Sequence, residues 1–139
     1  MIKAYIKMWK NVFNYSGRSQ RRDYWLAVLA NLIIGFVLIF VTTLILISAI
    51  DPKLENVNTA GILGLFNLLL LLVMLVPGIA LGVRRLHDTG KSGWWVLIGM
   101  IPYLGIIGGI FLIVFFCEDS GPDNKYGPNP KKIAKELEL

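Results

Sequence analysis

The densest chemistry in this chain lies in five consecutive residues, Arg84, Arg85, Leu86, His87 and Asp88, which open the string RRLHDTGKSGWW. Histidine titrates near neutral pH, so His87 beside Asp88 suits proton sensing or transfer. Paired arginines suit a phosphate oxyanion, which a guanidinium grips bidentately. A plainer role competes with both: Asp88 neutralises one arginine, His87 hydrogen-bonds the neighbouring tail, and the string anchors the chain at a membrane surface. We adopt the plainer role, although three ionisable residue types in five positions exceed what anchoring needs. Arg18 and Arg21, in the upstream string GRSQRRDYW, fall at the same headgroup level. The candidate functional or lipid-headgroup cluster is therefore Arg18, Arg21, Arg84, Arg85, His87 and Asp88.

Other chemistries find less support. A metal site is disfavoured, because the chain has one histidine and one cysteine, Cys117, far apart along the sequence. Ser92 follows His87 by five residues, yet no nucleophile elbow, paired carboxylates or glycine-rich phosphate loop accompanies it. No catalytic residue and no cofactor is assigned.

The elements that must position the cluster are long and apolar. Hydrophobic residues make up 55% of the 139 and charged residues only 17%, with most charges outside three apolar runs. A soluble domain of this size could not bury that much apolar surface in one core. The runs cover residues 24–50, 60–83 and 93–117, and each reaches the roughly 20 residues needed to cross ~30 Å of hydrocarbon as a helix. The third contains Pro102, followed by Gly105, Gly108 and Gly109. We read it as one span kinked at Pro102; a re-entrant hairpin broken there is the alternative, and it would return the tail, 118–139, to the side of the N-terminus. Gly78 with Gly82 and Gly105 with Gly109 are GxxxG pairs that let helices approach within the chain, or between copies of it.

Basic residues set the orientation. Lys3, Lys7, Lys10, Arg18, Arg21 and Arg22 precede the first run, and Arg84, Arg85 and Lys91 separate the second from the third. The positive-inside rule puts both segments in the cytoplasm, and Tyr24, Trp25, Trp94 and Trp95 then fall at the same boundary. The net charge of +5 accordingly points to anionic lipid headgroups rather than nucleic acid. Residues 1–16 read as an interfacial helix, with Ile2, Tyr5, Ile6, Trp9, Val12 and Phe13 on one face and Lys3, Lys7 and Lys10 on the other; packing against the cytoplasmic ends of the bundle is the alternative. Ser19 is a candidate N-cap for the first span. If the second span continues through the basic string, Asp88 meets Arg84 at i, i+4 and Arg85 at i, i+3, so either can bridge. Gly90 would then end the helix in the left-handed conformation, and Ser92 could cap the next.

A third string, NKYGPNP at 124–130, specifies turns. In this order the three strings resemble the bacterial family named domain of unknown function 805, the YhaH-type inner-membrane proteins. The resemblance rests on Gly17, Arg18, Arg21, Tyr24 and Trp25; on Arg85, Leu86, His87, Asp88, Gly90, Ser92, Gly93 and Trp94; and on Gly127, Pro128 and Pro130. It implies a bacterial multi-pass membrane protein and no particular activity. The fold expected is an all-α integral membrane bundle forming one domain, with three spans, an N-terminal amphipathic interfacial helix and a polar tail. The function expected is non-enzymatic, acting through membrane lipids, a membrane-protein partner or a second copy. An oligomeric small transporter or channel subunit is the alternative, and a lipid-headgroup enzyme the third.

Overall fold

The computed structural model describes residues 1–49, 57–101 and 105–137. It is all-helical, with α1 over Ile2–Lys10, α2 over Arg21–Ala49 and α3 over Val57–Asp88. A 3₁₀ helix over Gly93–Met100 follows, then α4 over Gly105–Cys117 and α5 over Pro130–Leu137. The connection read from sequence between the first two runs falls largely outside the described residues, and so does Pro102.

Among the described residues two helices are long and apolar enough to cross a membrane: Arg21–Ile45 within α2 and Gly61–Asp88 within α3, at mean hydropathies of 2.7 and 2.6. Large side chains such as Leu32, Phe36, Ile62 and Leu65 stand exposed along them, as lipid-facing residues would. Across the α2–α3 contact, Thr42 Oγ1 lies 2.7 Å from Asn67 Oδ1, and Asn31 Nδ2 donates to the Met74 carbonyl at 3.3 Å. That carbonyl lies one turn before Pro77, a buried proline inside α3.

The third run departs from the single kinked span. Its two halves fold back on each other. The Trp95 and Phe115 rings meet edge-on with centroids 5.9 Å apart, and Lys91 forms an ion pair with Glu118 while its ammonium sits 4.4 Å above the Phe115 ring. Glycine permits the close approach: a Cβ on Gly105 would lie 3.2 Å from the Gly99 carbonyl oxygen, and one on Gly108 would lie 3.1 Å from that of Ile98 and overlap the Ile98 side chain. A helix of 13 residues spans about 20 Å, so α4 alone falls short of a ~30 Å hydrocarbon layer. The run matched one crossing in length, and length alone misled.

The glycine pairs divide accordingly. Gly82 packs under Val96 and Phe116, and Gly105 against Gly99, whereas Cβ atoms on Gly78 and Gly109 would meet open space. Within α4 the packing glycines are Gly105 and Gly108, not Gly109.

The core sits where the cytoplasmic ends were expected. Ala4 and Met8 of α1, Tyr24 and Ala27 of α2, Leu81 and Leu86 of α3, and Leu112 and Phe116 of α4 form one cluster. Thus α1 docks by Ala4 and Met8, at the edge of its apolar arc, and Lys7 pairs with Asp23 at 2.9 Å. Tyr5 and Trp9 are half-buried, while Ile2 and Phe13 remain 75% and 80% exposed. The arc is wide enough to serve two surfaces, and the docked one is not its centre.

Gly108→Ala should therefore cost about 1–3 kcal/mol through overpacking, whereas Gly109→Ala should stay within about 0.5 kcal/mol of the parent. Unfolding midpoints of the two variants in mild detergent check this.

Candidate functional site

The last turn of α3 carries the basic string, and two glycines hold the chain against it. Gly90 at φ +77° reverses the chain, with its N–H donating to the His87 carbonyl at 3.1 Å and that of Lys91 to Leu86 at 2.9 Å. This is the expected left-handed ending. Ser92 precedes the 3₁₀ helix but caps it with no side-chain hydrogen bond. Gly17, at φ +86°, turns the linker before α2. Ser19 does not cap α2, which begins at Arg21. Its N–H donates instead to the Arg84 carbonyl at 3.1 Å, tying the linker to α3.

Asp88 lies at the centre of the site and is fully buried. Arg85, one turn back, donates to its Oδ2, so of the two expected partners the i, i+3 arginine makes the bridge. The second partner comes from 70 residues away: Arg18 Nε donates to Asp88 Oδ1 at 2.9 Å. Ser120 Oγ lies 2.6 Å from Oδ2. Both carboxylate oxygens are thus engaged, and Asp88 is left no role as a free general base.

The side chain of Arg18 is only 2% exposed, and all three guanidinium nitrogens donate. Nη1 donates to the carbonyls of Pro122 at 2.8 Å and Gly127 at 3.0 Å; Nη2 donates to those of Gly121 at 2.6 Å and Asp88 at 3.0 Å. The planar fork with five N–H donors is what makes this set possible, and an ammonium has no equivalent. Arg85 completes the clasp by donating to the carbonyls of Phe116 at 3.2 Å, Ser19 at 3.4 Å and Glu118. Linker, α3 end, α4 end and tail are joined in one network.

The other candidates lie around this clasp. Arg21 donates to the Cys117 carbonyl at 3.1 Å from an exposed position. Arg84 is buried but turns back on its own helix, donating from Nε to the Ala80 carbonyl at 3.2 Å, and its Nη2 has no partner. His87 stacks its ring on Tyr126, centroids 3.8 Å apart and planes 5° apart, and accepts at its carbonyl from Asn124 Nδ2 at 3.0 Å. Its contact with the tail is thus a ring stack and a backbone bond. The Gly17 backbone lies near the ring, but buried Nδ1 makes no hydrogen bond of ordinary geometry. Among the described residues no three of His, Cys, Asp and Glu gather to hold a metal ion.

Sequence reasoning missed the tail's contribution. Asn124 and Gly127 pair through their backbones at 3.2 and 2.9 Å, with Gly127 at φ +132°, and this turn presents the Gly127 carbonyl to Arg18. Gln20 reaches the Pro130 carbonyl at 2.9 Å, and Asn129 Nδ2 the Gly121 carbonyl at 3.0 Å. The turn residues of NKYGPNP were the available signal. Two exposed acids brace the segment. Asp119 lies below the usual carboxylate range because Lys131 hydrogen-bonds it, and Asp123 because it accepts from the Asn129 N–H, with Lys132 adding to the effect.

Removing one partner of a buried ion pair costs about 3–5 kcal/mol, so Arg18→Ala and Asp88→Ala should each cost that much. The double variant should lose far less than their sum. Arg18→Lys should be nearly as harmful as Arg18→Ala, because charge alone does not replace the fork. Unfolding midpoints in detergent test all four. The depressed acids also set a pH dependence: their support of the tail is complete above the ordinary carboxylate pKa of about 4 and lost as pH falls through their lower folded values. Protection of the Asn129 amide, corrected for intrinsic exchange, should persist to about pH 4 and fail below it.

The sequence profile of the family described as "Protein of unknown function (DUF805)" matches residues 12–128. "Inner membrane protein YhaH" of Escherichia coli (strain K12) is 35% identical over 128 residues, covering 91% of this chain and 95% of its own length. "Inner membrane protein YhaI" of the same organism is 40% identical over 131 residues, covering 94% and 97%. No solved structure matches. The first two motifs of the clasp fall within the matched region and the third runs into it as far as Pro128, and the chain belongs to the DUF805 family.

Proposed function

We propose that this chain is a multi-pass protein of the bacterial inner membrane, with a non-enzymatic role exercised through contact with anionic lipid at the cytoplasmic face. The two relatives are named as inner membrane proteins, which supports the location. The orientation follows from where the cations gather. The clasp draws the linker, the end of α3 and the tail to one end of α2 and α3, so Arg18, Arg21, Arg84, Arg85, Lys125 and Lys131 share it. By the positive-inside rule that end is cytoplasmic. Two spans and a re-entrant hairpin then leave both the N-terminus and the tail inside.

The observation that carries the lipid role is the divided surface of α1. Its Ala4–Met8 edge is docked, while Ile2 and Ile6, with Phe13 in the turn that follows, stay exposed beside Lys3, Lys7 and Lys10. An apolar flank beside lysines at the start of a span suits the boundary between acyl chains and anionic headgroups. A second membrane protein could occupy the same flank. The channel reading draws little support, because Thr42 meets Asn67 and Asn31 donates to a backbone carbonyl across the α2–α3 contact.

Replacing Ile2, Ile6 and Phe13 together by serine leaves the spans and the clasp intact. Protein extracted with its annular lipid from mixed phosphatidylglycerol–phosphatidylcholine bilayers should then lose its enrichment in phosphatidylglycerol. Unchanged enrichment would overturn the reading.

A further inference from the structure

The His87 ring takes no part in the clasp's hydrogen bonds and stacks on Tyr126. Between α3, the 3₁₀ helix and the tail lies a cleft of about 500 Å³, within the roughly 300–1,000 Å³ range of small-molecule sites. Its wall is apolar at one end, built from Ile79, Val83 and Leu97, and polar at the other, where His87, Ser92 and Tyr126 converge. Gly93 sets its width. A Cβ there would lie 2.6 Å from Val83 Cγ1 and 3.2 Å from His87 Nε2, so only glycine lets the 3₁₀ helix start this close to α3.

Lys125, not itself in the lining but next in sequence to Tyr126, brings a positive charge beside the polar end. Lys125 places its ammonium 5.0 Å from the centroid of the Tyr126 ring, and that ring stacks on His87. The nearby Asp88 carboxylate is already held by Arg18 and Arg85 and offers this end no counter-charge. Trp94, 78% exposed, stands at the cleft as an amphipathic ring does at the headgroup level. Tyr15 adds a second such ring to the lining. An apolar wall leading to a cationic, hydroxyl-bearing end, at the depth where the spans finish, has the chemistry of one amphiphile.

We propose that this cleft is a specific site for one anionic glycerophospholipid. One acyl chain lies along Ile79, Val83 and Leu97, and the phosphodiester lies toward His87, Ser92 and Lys125. The site deepens the lipid-contact reading and rests on it, but it is separate from the exposed flank of α1. The clasp supports it without touching the lipid, since the tail that supplies Tyr126 and Lys125 is held by Arg18.

The test is native mass spectrometry of the full chain in mild detergent, titrated with dioleoyl phosphatidylglycerol, with dioleoyl phosphatidylcholine and with inorganic phosphate. One phosphatidylglycerol adduct should form in preference to phosphatidylcholine. Leu97→Trp, which fills the apolar wall, should weaken that adduct by more than about ten-fold through loss of chain burial. Lys125→Ala should lower the preference for the anionic lipid about five-fold. Lys125 is exposed, so this variant keeps the test decisive if Leu97→Trp fails to fold. Equal binding of the two lipids, or a preference untouched by Lys125→Ala, would overturn the site. Inorganic phosphate that displaces the adduct and binds Leu97→Trp as well as the parent would reveal a simple anion site, and also overturn it. The serine variants of α1 should leave this single adduct intact, so the failure of either idea is distinguishable from that of the other.

Discussion

A carboxylate with no solvent exposure sits at the end of α3, and such a group is tolerated only when its charge and its oxygens are satisfied. Asp88 meets that demand with two guanidiniums, one from its own helix and one from the linker before α2. Two buried arginines on one aspartate leave an excess of donors and positive charge, which backbone carbonyls from the linker, α4 and the tail absorb. Each segment is therefore fixed by its relation to the same few atoms. The tail has little apolar surface to bury, and hydrogen bonds to Arg18 order it where a hydrophobic core would not.

The hairpin of the third apolar run follows from the same arrangement. Phe116 and Glu118 must present their carbonyls to Arg85, and Lys91 must reach Glu118, so the end of α4 returns to the level at which the 3₁₀ helix begins. Gly99, Gly105 and Gly108 remove the side chains that would hold the two arms apart. A short apolar helix that cannot cross the bilayer alone is acceptable where protein supports it. Here α3 and the 3₁₀ helix supply that support.

Much of this was legible in the sequence because it is local. The two long runs, the left-handed Gly90 and an arginine one turn before Asp88 all depend on spacing within one element, which left Arg84 and Arg85 as equal partners. The partnership of Arg18 with Asp88 was not legible, since helical periodicity says nothing about a residue 70 positions away. Of the residues named by type, Arg18, Arg85 and Asp88 form the clasp, and types could not tell that Arg84 turns back on its own helix or that His87 stacks on Tyr126. The third run failed for a different reason: 25 residues suit one crossing as well as a folded pair of short arms. The tail lysines and the glycines that follow Pro102 favoured the pair, against the length of the run. On α1 the helical wheel located the apolar arc but could not divide it between the protein-facing and outward-facing flanks.

One buried ion cluster holds the linker and the tail together, and the proposed orientation puts both at the cytoplasmic face. This arrangement is tested most directly in a Cys117→Ala background carrying a single cysteine at Ser16, in the linker, or at Lys135, in α5. Each protein is exposed to a membrane-impermeant maleimide in inverted vesicles and in intact spheroplasts. Both cysteines should label in inverted vesicles and neither in spheroplasts. Labelling of the Lys135 position in spheroplasts, with Ser16 labelled only in inverted vesicles, would put linker and tail on opposite faces and contradict the claim.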